Sequence, residues 1–243
     1  MREATDLANQ PGAAATLDRL AGIRAWVFDL DDTLYPKHTG VFDQVGARIQ
    51  LYLQRHFSIS PDEAIAVRRD YYRRHGTTLR GLIVEQGIAP DAFLDFVHDI
   101  DPSPLAPDPA LVAAIGRLPG RRFVLTNGSR SHAERIMARI GFGDQFEDIF
   151  DIIRADFLPK PHPDTYRRFL GENAIDPATA VMFEDLPRNL EVPKALGMAT
   201  VLVLPRGTDA VPAESWETEA STAHIDHLTD DLGAFVARLA PIP

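Results

Sequence analysis

The 243-residue sequence contains no cysteine. Within this chain that excludes thiol catalysis, cysteine-ligated zinc and disulfides, and it is compatible with a reducing compartment. Positive charge is scarce: 25 lysines and arginines stand against 35 aspartates and glutamates, for a net charge of −10. Nucleic-acid binding and docking on an anionic membrane both call for basic surface, so neither partner is expected. Long apolar runs are missing too. None approaches the about 20 residues that cross a bilayer, and no apolar stretch follows the early charges of Met1–Asp6 as it would in a signal peptide. The chain reads as soluble and cytoplasmic. An acidic protein of this kind takes a small anion only through local cations or a metal.

What is present is a set of short apolar runs, each stopping at a polar residue. Ala25–Phe28 stops at Asp29, Phe123–Leu125 at Thr126 and Asn127, and Val181–Phe183 at Glu184 and Asp185. Thr200–Leu204 stops at Pro205. Continuous rather than alternating runs imply strands buried on both faces, as in a parallel sheet. Helical patterns lie between them, at Ser129–Ile140 and Asp164–Leu170, and the alternation predicts a doubly wound α/β fold. Such folds bind ligands beyond the carboxyl ends of their strands, where these polar stops would converge.

One crossover, Pro36 to Pro107, is too long and shows no buried strand. Helical patterns near Phe42–His56, Asp62–Arg74 and Asp91–His98, with Pro61 and Pro90 at first-turn positions, predict an inserted helical cap. The expected organisation is a loose leader at 1–20, an α/β core at 21–36 and 107–243, and a cap at 37–106. Residues 207–222 read as loop. His224 and His227 have loose metal-ligand spacing without supporting carboxylates and read as a surface strand.

Four segments can carry chemistry. Asp29-Leu30-Asp31-Asp32-Thr33-Leu34 leaves a strand with carboxylates at i and i+2, which can aim a nucleophile and a proton carrier at one centre. Thr126-Asn127-Gly128-Ser129 feeds a helix and offers a hydroxyl and free backbone N–H groups to an anion. Lys160 is a single cation stiffened by Pro159, Pro161 and Pro163. Glu184-Asp185-Leu186-Pro187-Arg188-Asn189 offers oxygen ligands suited to Mg²⁺. Taken singly, each has a plain structural alternative: an acidic turn, a helix cap or a proline-rich loop.

Together and in this order, the four resemble the motifs of the haloacid dehalogenase-like superfamily over roughly residues 22–205. The resemblance implies that Asp29 is a nucleophile that also binds Mg²⁺, and that Asp31 is the general acid and base with its backbone carbonyl on the metal. It implies that Thr126, Asn127 and Lys160 hold the phosphoryl group and that Asp185 is the second metal carboxylate, supported by Glu184 and Asn189. Asp31 also argues against a true haloacid dehalogenase, which lacks that second aspartate and needs no Mg²⁺.

In the cap, Tyr71-Tyr72-Arg73-Arg74-His75-Gly76-Thr77-Thr78-Leu79-Arg80-Gly81-Leu82 is similar to the pyrimidine 5′-nucleotidase-like branch. So are Phe28–Tyr35 and Phe183–Asn189. This implies a Mg²⁺-dependent phosphatase acting on a small phosphorylated metabolite, a nucleoside monophosphate, with Thr77 and Thr78 binding substrate. Tyr71 and Tyr72 are candidates for stacking on a base, beside a basic island of Arg68, Arg69, Arg73, Arg74 and Arg80; the alternative is a solvated helix face with the tyrosines packed inward. Alternatives for the whole chain are a phosphatase of a sugar phosphate or phosphoglycolate, a phosphomutase, or an inactive phosphometabolite-binding regulator.

Overall fold

A computed structural model describes residues 20–206 and 222–239. The expected leader, apart from Leu20, and the loop at 207–222, apart from residue 222, lie outside the described residues. Leu20 itself is buried in the core.

Six parallel strands form one sheet in the order β3-β2-β1-β4-β5-β6. They are β1 (Ala25–Phe28), β2 (Arg121–Leu125), β3 (Asp148–Phe150), β4 (Ala180–Glu184), β5 (Ala199–Val203) and β6 (His227–Thr229). The chain builds outward from β1 in one direction through β2 and β3, then returns to its other side for β4, β5 and β6. The switch of direction falls between β1 and β4, and at such a point the loops at the strand ends part to open a crevice.

The continuous apolar runs follow from burial on both faces. In β1, Trp26 and Phe28 enter one core layer and Ala25 and Val27 the other. In β4, Val181 and Phe183 face the first layer and Ala180 and Met182 the second. Within the first layer the Phe28 and Phe183 rings of neighbouring strands stack with centroids 4.6 Å apart. Trp26 is core, and its indole N–H donates to Pro119 O at 2.7 Å.

Of the five α-helices between β1 and β2, the first four are α1 (Val41–Phe57), α2 (Pro61–His75), α3 (Thr78–Gln86) and α4 (Pro90–His98). α2 begins with Pro61 in its first turn, as the sequence pattern predicts, and with a capping box between Ser60 and Glu63. Pro90 likewise opens α4. α3 was not expected. Gly76 closes α2 in the left-handed conformation (φ 82°), Thr77 caps α3 by accepting from Arg80 N, and Thr78 is already helical. Gly76-Thr77-Thr78 is thus a helix junction. Its tight packing needs Gly81, because a Cβ there would lie 2.5 Å from Cγ of Tyr71.

The remaining helices cover the sheet: α5 (Pro109–Gly116), α6 (Arg130–Ile140), α7 (Pro163–Glu172), α8 (Glu191–Leu196) and α9 (Leu232–Ala237). Pro193 sits in the first turn of α8, where it costs little. β3 and β6, three residues each, escape a pattern-based reading. His227 begins β6 but is 7% exposed, so the expectation of a surface strand is corrected there. No helix among the described residues is long and apolar enough to cross a membrane.

Candidate active site

The carboxyl ends of β1, β2 and β4 deliver the polar residues to one place. Asp29 follows β1 directly and is anchored by its own N–H donating to Phe183 O on β4 at 2.9 Å. Thr126 follows β2, and its N–H donates to Phe150 O on β3 at 3.0 Å. Glu184 ends β4 and Asp185 follows it. A cavity of about 580 Å³ opens here between the strand ends and the inserted helices, and it is lined by Asp29, Asp31, Thr126, Asn127, Lys160, Glu184, Asp185 and Asn189, with Thr77 and Thr78 opposite.

Lys160 is the hub. The residue is 2% exposed, and its ammonium donates to Asp29 Oδ1 at 2.6 Å, Glu184 Oε1 at 2.8 Å and Leu125 O at 2.9 Å. Three acceptors therefore match its three donors. Burial alone would lower its pKa, but Asp29 and Glu184 outweigh that and hold it raised. Asn127 fixes the backbone carrying this lysine: Lys160 N donates to Asn127 Oδ1 at 2.8 Å, and Asn127 Nδ2 donates back to Lys160 O at 3.4 Å. Thr126 Oγ1 accepts from Gly128 N at 2.9 Å, shaping the loop into α6.

The acidic side of the site is overloaded. Oxygens of Asp29, Glu184 and Asp185 lie within 4.8 Å of one another. Burial pushes Asp29 up to about 7 despite Lys160, with Glu184 and Asp31 adding to the rise. Burial, with Glu184 and Asp29 beside it, drives Asp185 well above the ordinary carboxylate range. One ammonium does not balance these charges, and a small hard cation bound by oxygens would. The donor set fits Mg²⁺. Glu184 has little left to offer it, since Oε1 accepts from Lys160 and from Asn189 Nδ2 at 2.6 Å, and Oε2 accepts from Leu186 N at 2.7 Å.

Asp31 has partners that the sequence reading missed. Its Oδ1 accepts from the Tyr35 hydroxyl at 2.5 Å and from His132 Nε2 at 2.9 Å. Burial would raise its pKa, but His132 and Tyr35 reverse this and leave it lowered. His132, on the first turn of α6, stacks on His98 at the end of α4 with ring centroids 4.4 Å apart. Burial, with His132 next to it, pulls His98 down to about 3. Tyr35 stood in plain view four residues after Asp31. His132 is distant in sequence and offered only its place three residues after a capping serine. Asp32, with φ 60°, is pushed up to about 7, chiefly by burial.

On the cap side, Tyr72, Thr77 and Thr78 line the cavity, whereas Tyr71 does not. Tyr71 is buried against Gly81, so stacking of Tyr71 on a base is ruled out by its packing. Tyr72 lies under the guanidinium of Arg188, 4.7 Å from its ring centroid. The basic island is divided: Arg68 reaches the cavity, while Arg74 is taken up by Asp70 and Glu85. His224 lies apart from these groups, with Nε2 on Pro187 O at 2.7 Å.

A 3-2-1-4-5-6 parallel sheet with carboxylates and one buried lysine at its switch point defines a doubly wound α/β hydrolase core carrying a helical insertion. The sequence model of haloacid dehalogenase-like hydrolases matches residues 23–197, and the chain belongs to that family. Among curated proteins it is similar to Phosphate metabolism protein 8 of Saccharomyces cerevisiae, 26% identical over 199 residues. That match takes in 74% of this chain but only 61% of the relative's length. Solved structures of like fold include a HAD phosphatase from Thermococcus onnurineus (TM-score 0.57, 19% identity, 89% of this chain and 98% of that one). L-2-haloacid dehalogenase from Xanthobacter autotrophicus with covalently bound chloropropionic acid is also similar (TM-score 0.54, 19% identity, 88% and 97%). So is a putative HAD-hydrolase of Bacillus subtilis bound to magnesium (TM-score 0.54, 14% identity, 89% and 98%). At these identities the structural likeness bears on the fold alone.

Proposed function

We propose that this hydrolase is a Mg²⁺-dependent phosphatase that removes phosphate from a small monoester through a phosphoryl-aspartate on Asp29. The observation that carries the reading is Lys160, buried and bridging Asp29 and Glu184 beside a cluster of carboxylates that calls for one more cation. Asp29 and Asp185 would hold Mg²⁺ by their side chains and Asp31 by its backbone carbonyl. Bound there, the cation would neutralise phosphoryl charge that would otherwise repel the carboxylates.

The residues then divide the work. The Asp29 carboxylate forms a bond to phosphorus in line with the leaving oxygen, whose bond to phosphorus breaks. Asp31 gives its proton to that oxygen, so the product leaves as an alcohol. Water next attacks the phosphorus of the aspartyl phosphate, Asp31 takes the water's proton, and inorganic phosphate leaves with Asp29 restored. Lys160 and the Thr126 loop hold the phosphoryl oxygens and stabilise their charge in both steps. Asn127 serves this placement through the Lys160 backbone.

The substrate best suited to the site is a nucleoside monophosphate. The cap segment from Tyr71 to Leu82 resembles pyrimidine 5′-nucleotidases, and Tyr72, Thr77 and Thr78 from it border a cavity of nucleotide size. A sugar phosphate or phosphoglycolate uses the same phosphoryl site and is the alternative for the cap to decide. We assign residues 37–106 to that cap and 21–36 with 107–243 to the core. The test is phosphate release from 4-nitrophenyl phosphate by wild type and by Asp29→Asn, with and without a chelator. Loss of turnover by more than about 10³-fold is expected in the variant, whose amide is no nucleophile. Retention of near-wild-type activity by that variant, verified by mass, would remove the covalent mechanism; full activity after exhaustive chelation would remove the metal.

A further inference from the structure

The groups around Asp31 include a buried histidine pair that the steps above do not use. His132 is 1% exposed, and Nε2 donates to Asp31 Oδ1. The Tyr35 hydroxyl donates to that same oxygen. Both bonds fall on Oδ1, which leaves Oδ2 as the oxygen for proton transfer. Asp31 is therefore held at one oxygen and available at the other.

What sets the His132 ring is unusual. Its Nδ1 is buried and makes no hydrogen bond, so no second bond fixes the ring plane. The plane is instead set by packing. Against its Cδ2 edge is Gly128, where a Cβ would come within 3.2 Å. Against one face is the His98 ring, nearly parallel at 16°. His98 ends α4, the last of the inserted helices. It is tied to the core at the same point: Nδ1 pairs with Ser129 Oγ at 3.0 Å, and its carbonyl accepts from Arg135.

We infer that His132 is a positioning residue for Asp31, and that His98 passes the position of the cap to it through the ring stack. This rests on the phosphatase reading and deepens it. A cap displaced from the core removes one wall of His132, and Asp31 loses the bond that aims it. Asp31 thus acts as a proton donor only when the cap is seated, which ties proton transfer to a covered, water-poor site.

Proton donation matters most when the leaving oxygen is a poor leaving group, so the test compares two kinds of ester. One is 4-nitrophenyl phosphate, whose phenolate leaves with little help. The other is the fastest ester from a panel of nucleoside 5′-monophosphates, sugar phosphates and phosphoglycolate. His132→Phe keeps the ring and removes the donor. It is expected to lower kcat on the alkyl ester about 10²-fold and on the aryl ester by less than about 5-fold, the size of a general-acid effect. KM should change little. His98→Ala should show the same split at about 10-fold, and His98→Phe, which keeps the stack, should recover most of it. Equal losses on both esters in His132→Phe overturn the inference. Should that variant fail to fold, the His98 pair decides: no recovery in His98→Phe overturns it as well. A wild type inactive on both kinds of ester instead removes the phosphatase reading, and this inference with it.

Discussion

The ammonium of Lys160 stands 2.6 Å from Oδ1 of Asp29, although 131 positions separate the two residues in the chain. The same ammonium reaches Glu184 at 2.8 Å. A buried cation shared by two carboxylates is costly to assemble and costly to break, because removing one partner leaves charge without water or counter-ion. The arrangement keeps Lys160 fixed before any phosphate arrives. It also leaves net negative charge around Asp29, which adds to the effect of burial in holding its carboxyl up to about 7.

Glu184→Ala should therefore destabilise the protein by about 3 kcal/mol, since it strips Lys160 of a charged partner and leaves the Asn189 amide without its acceptor. Glu184→Gln should cost less, because the amide oxygen still accepts from Lys160. Urea denaturation of both variants measures this. A loss below about 1 kcal/mol in the alanine variant would show that solvent or Asp29 takes over the bond.

Asp29 gives a pH dependence whose sign can be worked out. Its pKa in the fold is raised to about 7 from an ordinary value of 3.8. Between those values the folded state binds more protons than the unfolded one, so this group's contribution to stability falls as pH rises through that window. In chelated protein, Asp29→Asn should be no more stable than wild type at about pH 5 and more stable at about pH 8, the gain growing between them. Saturating Mg²⁺ should stabilise wild type most at the upper end, where the carboxylates are charged, and Asp29→Asn less. Thermal melts across pH read both effects. A wild-type minus variant difference that stays flat with pH contradicts the assignment.

Gly81→Ala tests the packing of the cap. A methyl group there meets Tyr71 Cγ at 2.5 Å, inside any normal contact, and the neighbour is the rigid base of a ring. The expected cost is about 1–3 kcal/mol, seen as a lower Tm. Gly22, with nothing near a Cβ, is the control and should tolerate alanine within about 0.5 kcal/mol.

These relationships differ in how far they could be read beforehand. β1, β2, β4 and β5 were legible because burial on two faces leaves unbroken apolar runs, and the polar residues that end them mark the crevice. β3 and β6 were not, since three residues carry no period. α3 was hidden by Thr77, Thr78 and Gly81, each a poor helix former, and it exists because Thr77 caps it and Tyr71 packs over Gly81. Asp29, Asp31, Lys160 and Asp185 could be named from local motifs. The contact between His132 and Asp31 could not, because it depends on how α6 packs beside β1. The tyrosine pair illustrates the same limit: adjacent on one helix, Tyr71 turns inward and Tyr72 toward the cavity.

The last prediction concerns which ester the cap selects. The core groups hold only the phosphoryl end, so they cannot separate one leaving group from another, and discrimination must come from residues facing the rest of the molecule. Among these, Tyr72 and Thr78 come from the segment that resembles pyrimidine nucleotidases. Tyr72 is braced by Arg188, from the loop that also carries Asp185, so its ring is held at the cavity wall. Thr78 is buried at the first turn of α3 and lines the same cavity. Thr77 makes a less clean test, because its hydroxyl caps the helix and its loss would cost about 1 kcal/mol of stability besides. Tyr72→Leu and Thr78→Val remove a ring and a hydroxyl while keeping an apolar body of similar bulk. Each should change the ratio of kcat/KM between pyrimidine monophosphates and sugar phosphates by about 10-fold, through lost stacking or lost hydrogen bonding. Activity on 4-nitrophenyl phosphate, which asks little of the cap, should change less than about 3-fold. The measurement is a kinetic panel of pyrimidine and purine monophosphates, sugar phosphates and phosphoglycolate on wild type and both variants. An unchanged preference order, or a wild type inactive on every nucleotide, removes the nucleotidase reading and leaves the phosphatase reading to stand on Asp29, Lys160 and Asp185.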